Sequence, residues 1–386
     1  MSDRERRLVE RYRETRTSVR PKRHTPKLSE RIDQLRDLGQ EAIRGWRIQR
    51  KIDARDQPLE FCLRPYLALL LYTVSVTLFA RACTHWVGEP PYWSLWWDEG
   101  LMWPIAWIFC DNWGQFSSSV HVENTFYGVQ NGLTAAYFVC GALLAWAPRA
   151  LSQSLIQRRN DVHLHSSTTS KQSKEQKKRS QAAQNREGAQ RLASPPRGAR
   201  LTLWVCWITA AIQLNYALSS WAQSNYLLGV LMEQSLHVCA PIACALMLPN
   251  VSPRWEATAE GLLQLTVSLC FIGHGLFAIG WYPTPASFLT MTLNLTPFTE
   301  DGAETFLMIF GALDLVVAAL ILTPIYELRR LGLGYMILWG ALTALARPLG
   351  SPCASWVDAL TIGGPEMLWR SIHAIAPLWL WRRAYH

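Results

Sequence analysis

The chain has 386 residues, 49% of them apolar, and a formal net charge of +9. Of its 38 Lys and Arg, 18 fall in residues 1–64 and 12 in 149–200, so the charge belongs to two segments and not to the apolar remainder. No stacking or zinc motif accompanies the basic residues, which argues against nucleic acid as a partner and for anionic headgroups at a membrane surface.

Residues 1–60 are charged and lack the apolar core of a signal peptide, so a cytoplasmic, partly helical extension is expected. Within it Thr25-Pro26 reads as a helix start. Leu28, Ile32, Leu35, Ile43 and Trp46 then recur at helical spacing opposite Arg31, Arg36, Arg44, Arg47 and Lys51. That is a basic amphipathic helix suited to the membrane surface.

Apolar runs of about 18–22 residues, enough to span roughly 30 Å of hydrocarbon, follow. The expected crossings are 65–85, 127–147, 201–220, 226–248, 260–281, 304–323, 333–349 and 366–382. Between the first two lies a Trp-rich stretch, Trp86 to Trp113, whose apolar run 101–110 is too short to cross and fits the headgroup level. Gly128 and Gly132 offer a small-residue face for helix contact. Cys83 and Cys110 fall near one face, where a disulfide could form, and Cys353 near or beyond it. Residues 149–200, rich in Ser, Gln, Lys and Arg, read as a disordered loop.

Basic residues collect at every second connection: 1–64, 149–200, Arg254, Arg329, Arg330, Arg382 and Arg383. The other connections carry acids only. By the positive-inside bias both termini and the 149–200 loop face the cytoplasm. The expected fold class is therefore all-α, a polytopic membrane protein of about eight transmembrane helices.

Three pairs of segments suggest two parallel four-helix repeats. Tyr72-Thr-Val-Ser-Val matches Leu265-Thr-Val-Ser-Leu at an offset of 193, and Thr125-Phe126 matches Thr305-Phe306 at 180. Ser235-Leu-His237 and Ala240-Pro241 match Ser371-Ile-His373 and Ala376-Pro377 at 136. An even number of spans per copy points both copies the same way. The first repeat comprises 61–148 and 201–250, and the second 255–386.

Residues 260–386 carry Ile272-Gly273-His274-Gly275-Leu276, then Glu304, Phe310-Gly311-Ala312-Leu313-Asp314-Leu315 and Leu322-Thr323-Pro324. In this they resemble the DoxX-like family of four-helix membrane proteins. The resemblance implies a redox-associated or quinone-interacting component, or an accessory subunit with a membrane-protein partner. The family's first-helix Arg and Lys are missing from this copy, although Arg81 stands opposite His274 in the other.

Ionisable residues inside the spans mark the candidate site. Counting about 1.5 Å per residue, Arg81 and Arg347 lie near the outer boundary. Glu233, His274, Arg370 and His373 come about 8–12 Å deep, and His237 and Asp314 about 15 Å. Such groups must pair or line a wet cavity. His274, Asp314 and Arg370 are expected to meet across the second repeat. His274 and His373, at equal depth, would suit a b-type haem. No H-x3-H pair is present, so no metal site is expected. Nucleophile, phosphate-loop and dinucleotide motifs are absent, and no enzyme class is named. A carrier or binding protein for a small or lipidic ligand is the alternative to the redox reading.

Overall fold

The computed structural model describes residues 65–87, 90–168, 197–248, 253–351 and 355–384, with the backbone alone for 154–168. The expected amphipathic helix in 1–60 lies outside the described residues, as does Cys353. Among the described residues every regular element is a helix. In chain order they are α1 (Pro65–Val87), α2 (Tyr92–Trp96), α3 (Glu99–Phe109), α4 (Trp113–Ser118), α5 (Val120–Thr168), α6 (Arg197–Gln223) and α7 (Leu228–Leu246). Then come α8 (Pro253–Ala278), α9 (Ala286–Leu295), α10 (Glu300–Leu322), α11 (Tyr326–Leu349), α12 (Trp356–Arg370) and α13 (Ile372–Ala384).

Six of these, α1, α5, α6, α7, α8 and α10, are long and apolar enough to cross a membrane. The chain is a multi-pass membrane protein by that measure. Their outward faces agree: α10 has a mean hydropathy of 2.5, yet only 33% of its span is buried. Met308, Ile309 and Val316 on it are more than half exposed, as hydrocarbon contact requires. The expected seventh and eighth crossings are helical but irregular. α11 carries Glu327, Arg329, Arg330 and Arg347 within its 24 residues. The expected 366–382 span straddles α12 and α13, because the helix tightens at Ser371, whose N–H reaches back only to the Leu368 carbonyl at 3.2 Å.

The long helices pack in two closed groups. In the first, α1 contacts α5, α5 contacts α6, α6 contacts α7, and α7 returns to α1. In the second, α8 contacts α10, α10 contacts α11, α11 contacts α12 and α13, and α13 returns to α8. The groups meet along two seams, α7 against α8 and α12–α13 against α1. Short α2 leans on α6 in one group, and short α9 on α11 in the other. Each group ties its first two long helices with a buried serine. Ser75 donates to the Gly141 carbonyl and Ser268 to the Ala318 carbonyl, both at 2.8 Å. Leu71, Leu78, Tyr137, Leu263, Phe271 and Trp379 are among the fully buried side chains between the helices.

Three expectations change. α5 continues through 149–168, and Leu151 is fully buried, so the disordered loop does not begin at 149. The average composition of that stretch hides one more apolar helical turn. Gly128 and Gly132 are not a packing face, because a methyl group on either would meet nothing within 4 Å. Cys83 and Cys110 are both free thiols. The Trp-rich stretch forms three short helices, with Tyr92, Trp96 and Phe116 buried and Trp103, Trp107, Ile108 and Phe109 exposed. That split suits the headgroup region, where an aromatic ring has one wet and one dry neighbour.

Candidate functional site

The site is built on α8, and its Gly-His-Gly sequence has a steric reason. A Cβ on Gly273 would lie 2.7 Å from the Gly229 carbonyl of α7, and one on Gly275 would lie 2.8 Å from the Gly311 carbonyl of α10. Each glycine thus admits a neighbouring backbone, and His274 between them is held in the bundle interior.

The pairs differ from the expected triad. The Nδ1 of His274 is hydrogen-bonded to the Glu233 carboxylate of α7, across the α7–α8 seam. Asp314 instead accepts from the Tyr335 hydroxyl at 3.0 Å, with the Trp339 indole beside it. Arg347 pairs with Glu366 at 3.2 Å. Arg370 has no carboxylate partner among the described residues; its Nε is buried without a hydrogen bond, and Trp369 lies below its guanidinium at 5.5 Å. His274, Asp314 and Arg370 share a cavity wall without bonding to one another. The expectation that sequence-neighbouring helices would pair His274 with Asp314 fails: Asp314 turns to α11 and His274 to α7, across the seam.

A cavity of about 340 Å³ occupies the second group, on the side of the short helices. Phe288 and Met291 of α9, Phe306 and Phe310 of α10, and Trp339 and Leu345 of α11 give it an apolar wall. His274, Asp314, Arg347, Arg370 and His373 supply its polar positions. Asn294 fastens α9 by donating to the Gly350 carbonyl at 2.8 Å.

From this cavity a row of rings crosses to the first group. His274 stands 5.2 Å from His373, His373 stands 5.4 Å from His237, and His237 stacks on Trp369 at 4.2 Å. Trp369 in turn carries Arg81, whose other face lies on Tyr216 at 3.6 Å. Both nitrogens of His237 and of His373 are buried without a hydrogen-bond partner. The rings of His274 and His373 meet at 65° and 5.2 Å, leaving no slot for a porphyrin plane between them. The haem expectation is set aside on that geometry.

In the first group His85, Tyr92, Tyr137 and Tyr216 pack as one aromatic cluster, with His85 stacked on Tyr216 and edge-on to Tyr92 and Tyr137. The sequence-chosen residues Glu233, His237, His274, Arg347, Arg370 and His373 therefore gather, while Arg81 and Asp314 stand at the two flanks. Cys270, Tyr216, Tyr335, Glu366 and Trp369 were missed. Cys270 had a signal, since it precedes His274 by one helical turn, but a search for paired histidines is blind to it. Trp369 had one too, standing opposite Glu233 at the offset of 136.

Compared with known protein families, curated proteins and solved structures, the chain matches none.

Proposed function

We propose that the protein binds an amphiphilic ligand from the membrane, its apolar body in the α8–α11 cavity and its polar head at Arg370 and His373. The observation that carries this reading is an unpaired Arg370 Nε and an unpartnered His373 on the wall of an otherwise apolar space. A buried donor left unsatisfied costs about 1–3 kcal/mol, which an acceptor on the ligand head would recover. About 340 Å³ is within the range of small-molecule sites. A quinone is the ligand that the DoxX-like resemblance of residues 260–386 suggests, its carbonyl oxygens serving as acceptors.

Two groups, one lining the chamber and one packing an aromatic cluster, fit a duplicated unit. The offsets of 193 and 136 set Arg81 opposite His274, and Trp369 opposite Glu233. The two seams then carry equivalent contacts, Glu233–His274 at one and Trp369–Arg81 at the other. In this reading α11 and the α12–α13 pair also cross, making eight spans. Leu331 and Leu338, two turns apart on α11, are exposed and outside the cavity, an outward apolar face that favours it. Both termini and the α5–α6 connection face the cytoplasm, which labelling of single introduced cysteines tests.

Native mass spectrometry of the protein in mild detergent tests the ligand proposal. The wild type should retain an amphiphile that Ala346→Trp, which fills the cavity, expels while the protein stays monodisperse. A wild type that carries nothing after gentle extraction, or a filled variant that keeps the same ligand, would overturn it.

A further inference from the structure

The geometry points to a metal site at the inner end of the cavity, formed by Cys270, His274 and His373. One donor atom from each lies within 4.8 Å of the others. Cys270 and His274 are one turn apart on α8 and share a face. His373 approaches from α13, only 2% exposed, and neither of its nitrogens has a hydrogen-bond partner. An ion about 2.0–2.3 Å from each donor needs donors roughly 3.3–3.8 Å apart in a tetrahedral site. The His373 ring, with no hydrogen bond to hold it, is the donor that would turn to shorten those distances, while His274 stays on Glu233.

The outer partner of His274 argues the same way. With Nδ1 bound to Glu233, the nitrogen left for an ion is Nε2. A carboxylate that orients a histidine through its second nitrogen is the usual support of a metal ligand. Thiolate with two imidazoles is the donor set of a thiophilic ion of the zinc or copper type, and a poor one for magnesium or calcium. Arg347 and Arg370 oppose a cation here. The Cys270 thiolate, Glu233 and Glu366 together outweigh them by one charge. Binding displaces the thiol proton of Cys270 to solvent and leaves both imidazoles neutral. The fourth position opens on the cavity, where the polar head of the proposed amphiphile would reach it. The metal site does not depend on that ligand, because its donors are all on the protein.

Purification with a tag free of histidine and without chelator, then loading with Zn²⁺ or Co²⁺, tests the proposal. One ion per chain is expected, with a thiolate charge-transfer band from the cobalt form. Cys270→Ser should remove the band, His373→Gln should weaken uptake more than tenfold, and Glu233→Gln should weaken it 10–100-fold. His121→Gln, at an exposed position of α5, should leave uptake unchanged. X-ray absorption of the zinc-loaded wild type needs no variant and should report one sulfur and two imidazole nitrogens. Absence of stoichiometric uptake, a shell without sulfur, or a band that survives Cys270→Ser would overturn the site. Stripping bound amphiphile beforehand separates the two proposals: the ion should still bind to lipid-free protein.

Discussion

Gly275 of α8 and Gly311 of α10 meet almost backbone to backbone, with space at Gly275 for no side chain: its Cβ would stand 2.8 Å from the Gly311 carbonyl oxygen. Gly275→Ala should therefore destabilise the bundle by about 1–3 kcal/mol, the usual cost of overpacking. Gly261→Ala on the same helix is the control. Nothing lies within 4 Å of its Cβ, so relief of backbone entropy should make it neutral or stabilising by up to about 1 kcal/mol. Thermal unfolding in one detergent reads both. Equal melting of the two variants would mean that α8 and α10 are not in contact at this level.

Glu233→Ala should cost about 1–3 kcal/mol, because it leaves the His274 Nδ1 without its hydrogen-bond partner in the bundle interior. Glu233→Gln should cost less, since the amide oxygen still accepts from Nδ1. The difference between the two variants in chemical denaturation measures the charge part of the pair.

Asp314→Asn should cost no more than about 1.5 kcal/mol, the net value of one ordinary hydrogen bond. Its partners are the Tyr335 hydroxyl and the Trp339 indole and not a cation, and an amide oxygen still serves at least one of those donors. A loss of about 3–5 kcal/mol, the cost of breaking a buried ion pair, would mean that Asp314 neutralises Arg370.

Asp98, outside the spanning helices, gives a pH prediction. The Tyr226 hydroxyl and then the Leu101 N–H hold its carboxyl below the usual carboxylate range. A carboxylate with a depressed folded pKa adds stability above its unfolded value of about 4 and loses it as pH falls through the folded value. Tyr226→Phe should flatten the acid limb of the stability profile by lowering stability slightly at neutral pH, and leave the acid end, where the contribution is already lost, unchanged. The effect is small, because the group is exposed and water screens it.

Much of the fold was legible because a bilayer imposes two independent patterns, apolar length and alternating basic connections, and both repeat along the chain. Ser75 and Ser268 already match in sequence at the offset of 193, and each donates to a carbonyl of the next long helix in its group, α5 and α10. Leu151 was not recognisable as core, since one buried turn is lost within a long polar segment. Depth counting set His274 and His373 at one level and His237 deeper, with Asp314. It gave no helix rotation, and rotation decides that His274 turns toward Glu233 and not toward Asp314. Nor does periodicity mark Tyr216 or Trp369, whose role is to face a cation with a ring, and an aromatic in an apolar helix reads the same whichever way it points.

Arg81 is held by the faces of Tyr216 and Trp369, with no carboxylate partner among the described residues. Ring quadrupoles attract a cation, so the guanidinium is held without a counter-charge. Tyr216 belongs to α6 of the first group and Trp369 to α12 of the second, so one arginine fastens the two groups together through aromatic faces alone.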